Sequence, residues 1–365
     1  MQNVFIKYIN NCYSKYDVVK FDDLDKLKKS YYQTSKTQKL LFLYPLVKYI
    51  VRDDQVYVEA ELADIIYNND NLNQIKDNRI AQVLSMIQKT LLWAKKLNKP
   101  IVQTTLYFWI SDRIPWYSDI DIKFPIYVFA TPKNKNFILF PDNSFECMTI
   151  DEKYNGSCYD WEQTKAIIIN KSNKVKFMEK TNKIFFKGTS TSSKNTQIRE
   201  NLYTLSKSSK YLDIRLDGWY AYIGMDNFCE YKFLLNLPGN YPWSNRFKYL
   251  FLMKSIVINV DVESEDMKTH IIDQEWISFI NIIVKPDTHY INLKFKYYYN
   301  DDDKNKNYEQ CIEILNQLED IYKSNTEKYT NMIENGYHAV SELTNNNIYE
   351  YIYECMIKNS SIKFI

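Results

Sequence analysis

The sequence predicts an α/β fold with parallel strands, and three observations carry that expectation. Short apolar runs in the second half alternate with amphipathic stretches of helical length, the pattern of βαβ units. Apolar residues make up 45% and charged residues 25%, a balance that describes a folded globular chain and excludes a disordered one. At roughly 150 residues per domain, the length of 365 points to two domains. Glycine occurs only 6 times, which excludes Gly-rich repeats and collagen-like chains and makes each glycine a candidate for a special backbone position.

The clearest helix in the first half is 79–97. There Ile80, Val83, Leu84, Ile87, Leu91 and Ala94 repeat at helical spacing, Asp77 or Asn78 can cap the start, and Pro100 closes the pattern. Strands are expected at 101–110, 125–130 and 137–140, with 112–114 and 131–136 at strand ends. The second half reads as strand 184–186, helix 195–205, strands 211–216 and 231–237, helix 243–254, and strands 255–260 and 290–295. Three helices follow, at 308–322, 327–336 and 348–358, after the polar connector 301–307. No repeat with a period of 20 to 50 residues is visible.

The net charge of +2 is too small to steer the molecule onto a polyanion, so no nucleic-acid partner is expected. Lysines 171, 174, 176, 180, 183, 187 and 194 nevertheless face a single acid, Glu179, in one segment, which reads either as a solvated face or as the approach to an anion site. The 6 cysteines form no CxxC and no paired metal spacing. The first residues lack the apolar core of a signal peptide and no run is long enough to span a membrane. The expectation is a soluble, cytoplasmic protein with reduced thiols.

In a parallel sheet, ligands bind where strands run out into helices, which selects two loops. Residues 185–193, FFKGTSTSS, end an apolar strand in a cation, a glycine and five hydroxyl residues. Small residues, hydroxyl donors and a following helix start suit a phosphate, although an ordinary capped loop has the same composition. The string is neither GxxxxGK[ST] nor GxGxxG, so NTPase and dinucleotide readings fail. Residues 238–247, PGNYPWSNRF, turn at Gly239 and place Arg246 in the first turn of the expected helix. A guanidinium there fits a diphosphate, and a surface arginine is the plain alternative.

These two loops carry a resemblance. FFKGTSTS at 185–192, EYKFLLNLPGNYPWSNRFKYLFLMKSIVINV at 230–260 and EWISFINIIVKPDTHYINLKF at 275–295 together resemble glycosyltransferase family 90, the Rumi-type protein O-glucosyltransferases and capsule-associated xylosyltransferases. Residues 125–141 and the run from 333 to 355 are similar to the family's flanking segments. The resemblance covers the chain from about Arg79 onward. It implies a GT-B-like architecture of two Rossmann-like domains: 1–170 on the acceptor side, 171–338 for the nucleotide sugar, and 339–365 as a helix packing back on the first domain.

The implied activity is inverting, metal-independent transfer from a UDP-sugar, UDP-glucose or UDP-xylose, to a hydroxyl of a protein or glycan. No cofactor is implied. A carboxylate takes the acceptor proton, and the leaving diphosphate is held by amides, hydroxyls and cations. By position the base maps onto Asp112, three residues before Pro115 where the family has one or two, with Asp119 and Asp121 as substitutes. Lys187, Gly188, Thr189, Thr191, Gly239, Ser244 and Arg246 map onto the donor loops. Ser190 stands where Rumi-type loops carry arginine, leaving Lys187 and Lys194 to replace it. Glu275, Trp276, His289 and Tyr290 match the later block, read as packing around the pocket.

Two alternatives stay open. Asp119-Ile-Asp121 is a DxD that would hold a divalent metal in another transferase fold, or simply the solvent face of a strand. The departures at Asp112 and Ser190 also suit a catalytically silent binding or assembly protein that keeps the fold.

Overall fold

The computed structural model describes residues 1–16, 18–20, 46–60, 70–110, 124–133, 136–148, 158–190, 197–217, 225–239, 243–264, 276–297 and 304–364. They form two units with one main sheet each: Met1–Glu146 together with Thr344–Ile365, and Cys147–Leu343. The division drawn at residue 170 falls inside the helix Trp161–Ser172, which belongs to the second unit. Trp161 explains why: its Nε1 donates to the Leu343 carbonyl at 2.7 Å and its ring lies 5.8 Å from that of Tyr249.

In the first unit β1 (Leu46–Arg52) and β2 (Gln55–Ala60) form an antiparallel hairpin. Asp53 and Asp54 turn it with φ of 53° and 60°, the left-handed pair that matches the twist of two strands joined by a two-residue loop. β3 (Thr104–Trp109), β4 (Ile126–Val128) and β5 (Ile138–Leu139) complete a sheet of order β2-β1-β3-β4-β5, with β3, β4 and β5 parallel. The helix expected at 79–97 runs Asp70–Lys96. Its first turns are polar and give no apolar period. It ends where Asn98 takes φ 52° and the amides of Asn98 and Lys99 return to the carbonyls of Lys95 and Ala94.

The C-terminal helix Asn345–Ser360 packs into this first unit. Its buried tyrosines act as both core and hydrogen-bond donors: Tyr351 Oη donates to Leu139 O at 2.5 Å and Tyr353 Oη to Pro100 O at 2.8 Å. Asn359 Nδ2 reaches Thr104 Oγ1 at 2.9 Å and Thr105 O at 2.7 Å. Those bonds satisfy polar atoms that burial would otherwise leave costly.

The second unit holds β6 (Thr181–Thr189), β7 (Leu212–Asp217), β8 (Tyr231–Asn236), β9 (Ile256–Ser264) and β10 (Ile291–Tyr297). All are parallel, in the order β10-β9-β8-β6-β7. Ile184, Phe186, Leu235, Ile258 and Phe295 meet Leu202 of helix Gln197–Ser206 and Cys311 and Leu318 of helix Lys304–Lys323 in one core. An α/β fold is therefore what the chain adopts.

Three expectations need correction. The helix expected at 243–254 is only Phe247–Leu250, followed by a 3-10 turn Phe251–Met253. Every residue from 247 to 253 is buried, and Lys254 at φ 49° ends the helical turns and leads the chain into β9. The helix expected to end at Gly336 continues to Ser341. Gly336 is a contact point there: a Cβ would lie 2.8 Å from Phe251 Cδ1. Finally, Cys147 and Cys158 are joined as a disulfide with Cα atoms 5.0 Å apart. The antiparallel bridge between Met148 and Tyr159 sets them side by side, so reduced thiols do not describe this pair. Among the described residues, no helix is long and apolar enough to cross a membrane.

Candidate active site

Strand order picks the place. Numbered within the second unit, the order reads 2-1-3-4-5, and the direction of winding reverses between β6 and β8. Crevices at such reversals, outside the carboxyl ends of the strands, are where doubly wound sheets bind ligands. The residues that finish β6 and follow β8 are Lys187, Gly188, Thr189 and Ser190 on one side and Leu237, Pro238 and Gly239 on the other.

Two guanidinium groups meet there. Arg199, on helix Gln197–Ser206, donates from Nη1 to Thr189 O at 2.9 Å and from Nη2 to Leu237 O at 3.4 Å, tying the two strand ends together. Arg246 donates from Nη1 to Lys187 O at 2.5 Å. Both stack on Phe186, at 5.3 Å and 5.1 Å from the ring centroid. Burial pulls the Arg199 ionisation down to about 9, helped by the charge of Arg246. Burial alone pulls Arg246 down to about 10. Neither has a carboxylate partner among the described residues. Two desolvated like charges facing main-chain carbonyls form an arrangement that an anion relieves.

The backbone lies close against Phe186 and Arg246. A Cβ on Gly188 would sit 2.8 Å from Phe186 Cζ and 3.4 Å from Arg246 Nη1, so only glycine lets the strand end lie against the ring and the guanidinium. Gly239 N donates to Trp243 O at 3.1 Å, closing the second loop, and Phe247 N donates to Ser244 O at 3.2 Å. Because the helix at Phe247–Leu250 is a single turn, Arg246 acts through its side chain and not through a helix end. Ser190 Oγ donates to Glu200.

Two buried polar atoms at the same end have no partner among the described residues: Arg199 Nε and Asn236 Oδ1. Asn236 heads a ladder in register across three strands, giving its Nδ2 to Asn259 Oδ1 at 2.7 Å, while Asn259 gives to Asn292 Oδ1 at 2.9 Å. An orphaned donor and an orphaned acceptor beside a crevice call for a bound group or water.

The structure thus sets Lys187, Gly188, Thr189 and Ser190 at the carboxyl end of β6 and Gly239, Ser244 and Arg246 in the segment that follows β8. It adds Arg199, which the sequence reading passed over. The signal was a charged residue set among the inward positions of a helix, next to Ile198 and one turn before Leu202, both buried. His289 lies elsewhere, in the turn before β10 and so at the amino end of the sheet. There Lys285 N donates to its Nδ1 at 2.9 Å, and burial lowers its ionisation. Tyr290 is core, edge-on to Phe247 at 5.0 Å. Thr191, Asp112, Asp119, Asp121 and Glu275 lie outside the described residues.

The chain is 26% identical over 184 residues, 47% of its length, to the O-glucosyltransferase rumi homolog of Aedes aegypti. That stretch is 42% of the relative, so the alignment spans less than half of its length. The profile of the family described as Glycosyl transferase family 90 matches residues 112–362. Because that match takes in well over half of the chain and every strand of the second sheet, the chain belongs to glycosyl transferase family 90.

Proposed function

We propose that the protein is an inverting, metal-independent glycosyltransferase moving glucose or xylose from a UDP-sugar to a hydroxyl of a protein or glycan. In this reading the arrangement is GT-B-like, the second unit takes the nucleotide and the first unit takes the acceptor. The acceptor oxygen attacks the anomeric carbon, its proton passes to Asp112, and the bond to the diphosphate breaks on the opposite face. Asp119 or Asp121 is the substitute base. UDP leaves with its negative charge held by Arg199, Arg246, Lys187 and the strand-end amides and hydroxyls at Gly188, Thr189, Thr191 and Ser244.

The observation that carries this reading is the buried guanidinium of Arg199 beside the half-buried one of Arg246 at the reversal of the sheet, neither paired with a carboxylate among the described residues. Arg199 also answers the departure at Ser190: its Nη1 lies on Thr189 O, one residue away, so a guanidinium is present beside the loop from a different position in the chain. Stabilising the leaving charge in this way is worth about 10²- to 10³-fold in rate per donor.

A silent, fold-keeping protein is the second reading. It draws on Glu200, whose carboxylate takes the Ser190 hydroxyl and brings negative charge to the loop. Release of UDP from UDP-glucose and UDP-xylose by purified protein, with and without EDTA, separates the two. Release that survives EDTA supports the transferase; UDP binding without release supports the silent reading; release abolished by EDTA contradicts metal independence.

A further inference from the structure

At the other end of the second sheet lies a groove of about 530 Å³, bounded by the end of helix Trp161–Ser172, the turn Phe177–Glu179, Lys254 and helix Thr330–Ser341. Phe177 precedes β6 and Lys254 precedes β9, so both stand at the amino ends of parallel strands. The nine residues of β6 separate this groove from Thr189 by roughly 26 Å, at about 3.3 Å per residue. Its volume falls in the range of small-molecule sites, about 300 to 1,000 Å³.

The lining is specific. Ser172, 1% exposed, carries a buried Oγ with no hydrogen-bond partner among the described residues. Lys254 is fixed from both sides: its backbone holds φ 49°, and its ammonium donates to Asn173 Oδ1 at 2.7 Å while sitting 4.5 Å from the centre of the Tyr337 ring. Behind it, Lys180 gives its ammonium to Lys254 O at 3.0 Å and Ser255 Oγ at 2.7 Å. Burial, with a push from Lys254, lowers the Lys180 ionisation to about 8. No carboxylate pairs with Lys176, Lys180 or Lys254 among the described residues, and Glu334 is the one acid in the groove wall.

We propose that this groove binds an anionic sugar, a pyranose-sized ring bearing a phosphate or a carboxylate, independently of the strand-end crevice. Phe177 and Ile333 offer an apolar wall to the C–H face of the ring. Ser172 and Glu334 offer one unused hydroxyl and one carboxylate to the ring hydroxyls. The positioned ammonium of Lys254, with Lys176 beside the opening, meets the anion. Charge decides against a neutral occupant, which leaves the lysines uncompensated, and size decides against a bare inorganic anion, which leaves most of the volume empty. The inference stands whether or not the transferase reading does.

The test is calorimetric titration of the intact protein with glucose 6-phosphate, glucuronate and glucose. The expected result is one site per chain for at least one anionic sugar, and the one that saturates identifies the source of the charge. Lys254→Gln weakens that binding at least tenfold and Ser172→Ala about threefold to tenfold, the loss of one charged and one neutral hydrogen bond. Both variants keep the wild-type circular dichroism spectrum and cooperative thermal unfolding, which reports that they fold; Lys176→Gln, at an exposed position, replaces any variant that does not. No saturation at millimolar ligand, glucose binding as tightly as the anionic sugars, binding indifferent to the variants, or displacement by UDP each overturns the proposal.

Discussion

Arg199 and Arg246 share the ring of Phe186, 5.3 Å and 5.1 Å from its centre, and neither has an acid to neutralise it among the described residues. A fold that needed these groups only for stability would pair them. Replacing Arg246 by Met removes one of two repelling charges, so the melting temperature of the free protein stays level or rises. UDP affinity falls roughly 10- to 100-fold, the worth of a charge-assisted hydrogen bond. Thermal unfolding and calorimetry on the same preparations check both halves. A variant that loses stability while keeping UDP affinity marks Arg246 as structural.

Gly188 permits that arrangement. In Gly188→Ala the new methyl, 2.8 Å from Phe186 Cζ, displaces the ring on which both guanidiniums rest. Overpacking of this kind costs about 1 to 3 kcal/mol. We expect a lower denaturant midpoint together with weaker UDP binding; wild-type values for both would show that the ring yields freely.

Asp112→Asn keeps the shape of the side chain and removes the proposed base. The proposed mechanism predicts undiminished UDP binding and loss of sugar transfer, read by product analysis with UDP-glucose and UDP-xylose. Transfer that persists assigns the proton to another group, and the same substitution at Asp119 and Asp121 finds it.

Lys180 ties stability to pH. Its ionisation lies at about 8 in the fold against an ordinary 10.5, so between those values the unfolded chain holds the extra proton and stability rises with pH. Below about 8 both states are protonated and the cost of burying the charge is present in full. Urea unfolding across this interval is expected to show the stability of the wild type rising with pH relative to that of Lys180→Met.

Thiol chemistry checks the corrected cysteine assignment. Cys12, Cys229, Cys311 and Cys355 are free, so alkylation of unreduced, denatured protein labels these four, and prior reduction exposes Cys147 and Cys158. Six labels without reduction contradict the bond.

The strands of the second sheet were legible because they are buried on both faces and read as short apolar runs, as in Phe233 to Leu235. The loops after them were legible because Gly188 and Gly239 stand out in a glycine-poor chain. The reversal between β6 and β8 was not, since strand order is a long-range property that no local pattern encodes. Arg199 gave one local signal, a charge among the inward positions of its helix, but its partners, Thr189 and Leu237, are 10 and 38 residues away. The helix at 243–254 was overread because its apolar residues fit a helical period and a fully buried turn equally well.

The account rests on an anion at the reversal of the second sheet, and titration of the intact protein with UDP in the presence of EDTA addresses it most directly. Saturable binding at one site per chain, indifferent to EDTA and lost with Arg246→Met, is the predicted result. No binding at millimolar UDP, or binding that Arg246→Met leaves untouched, would contradict it.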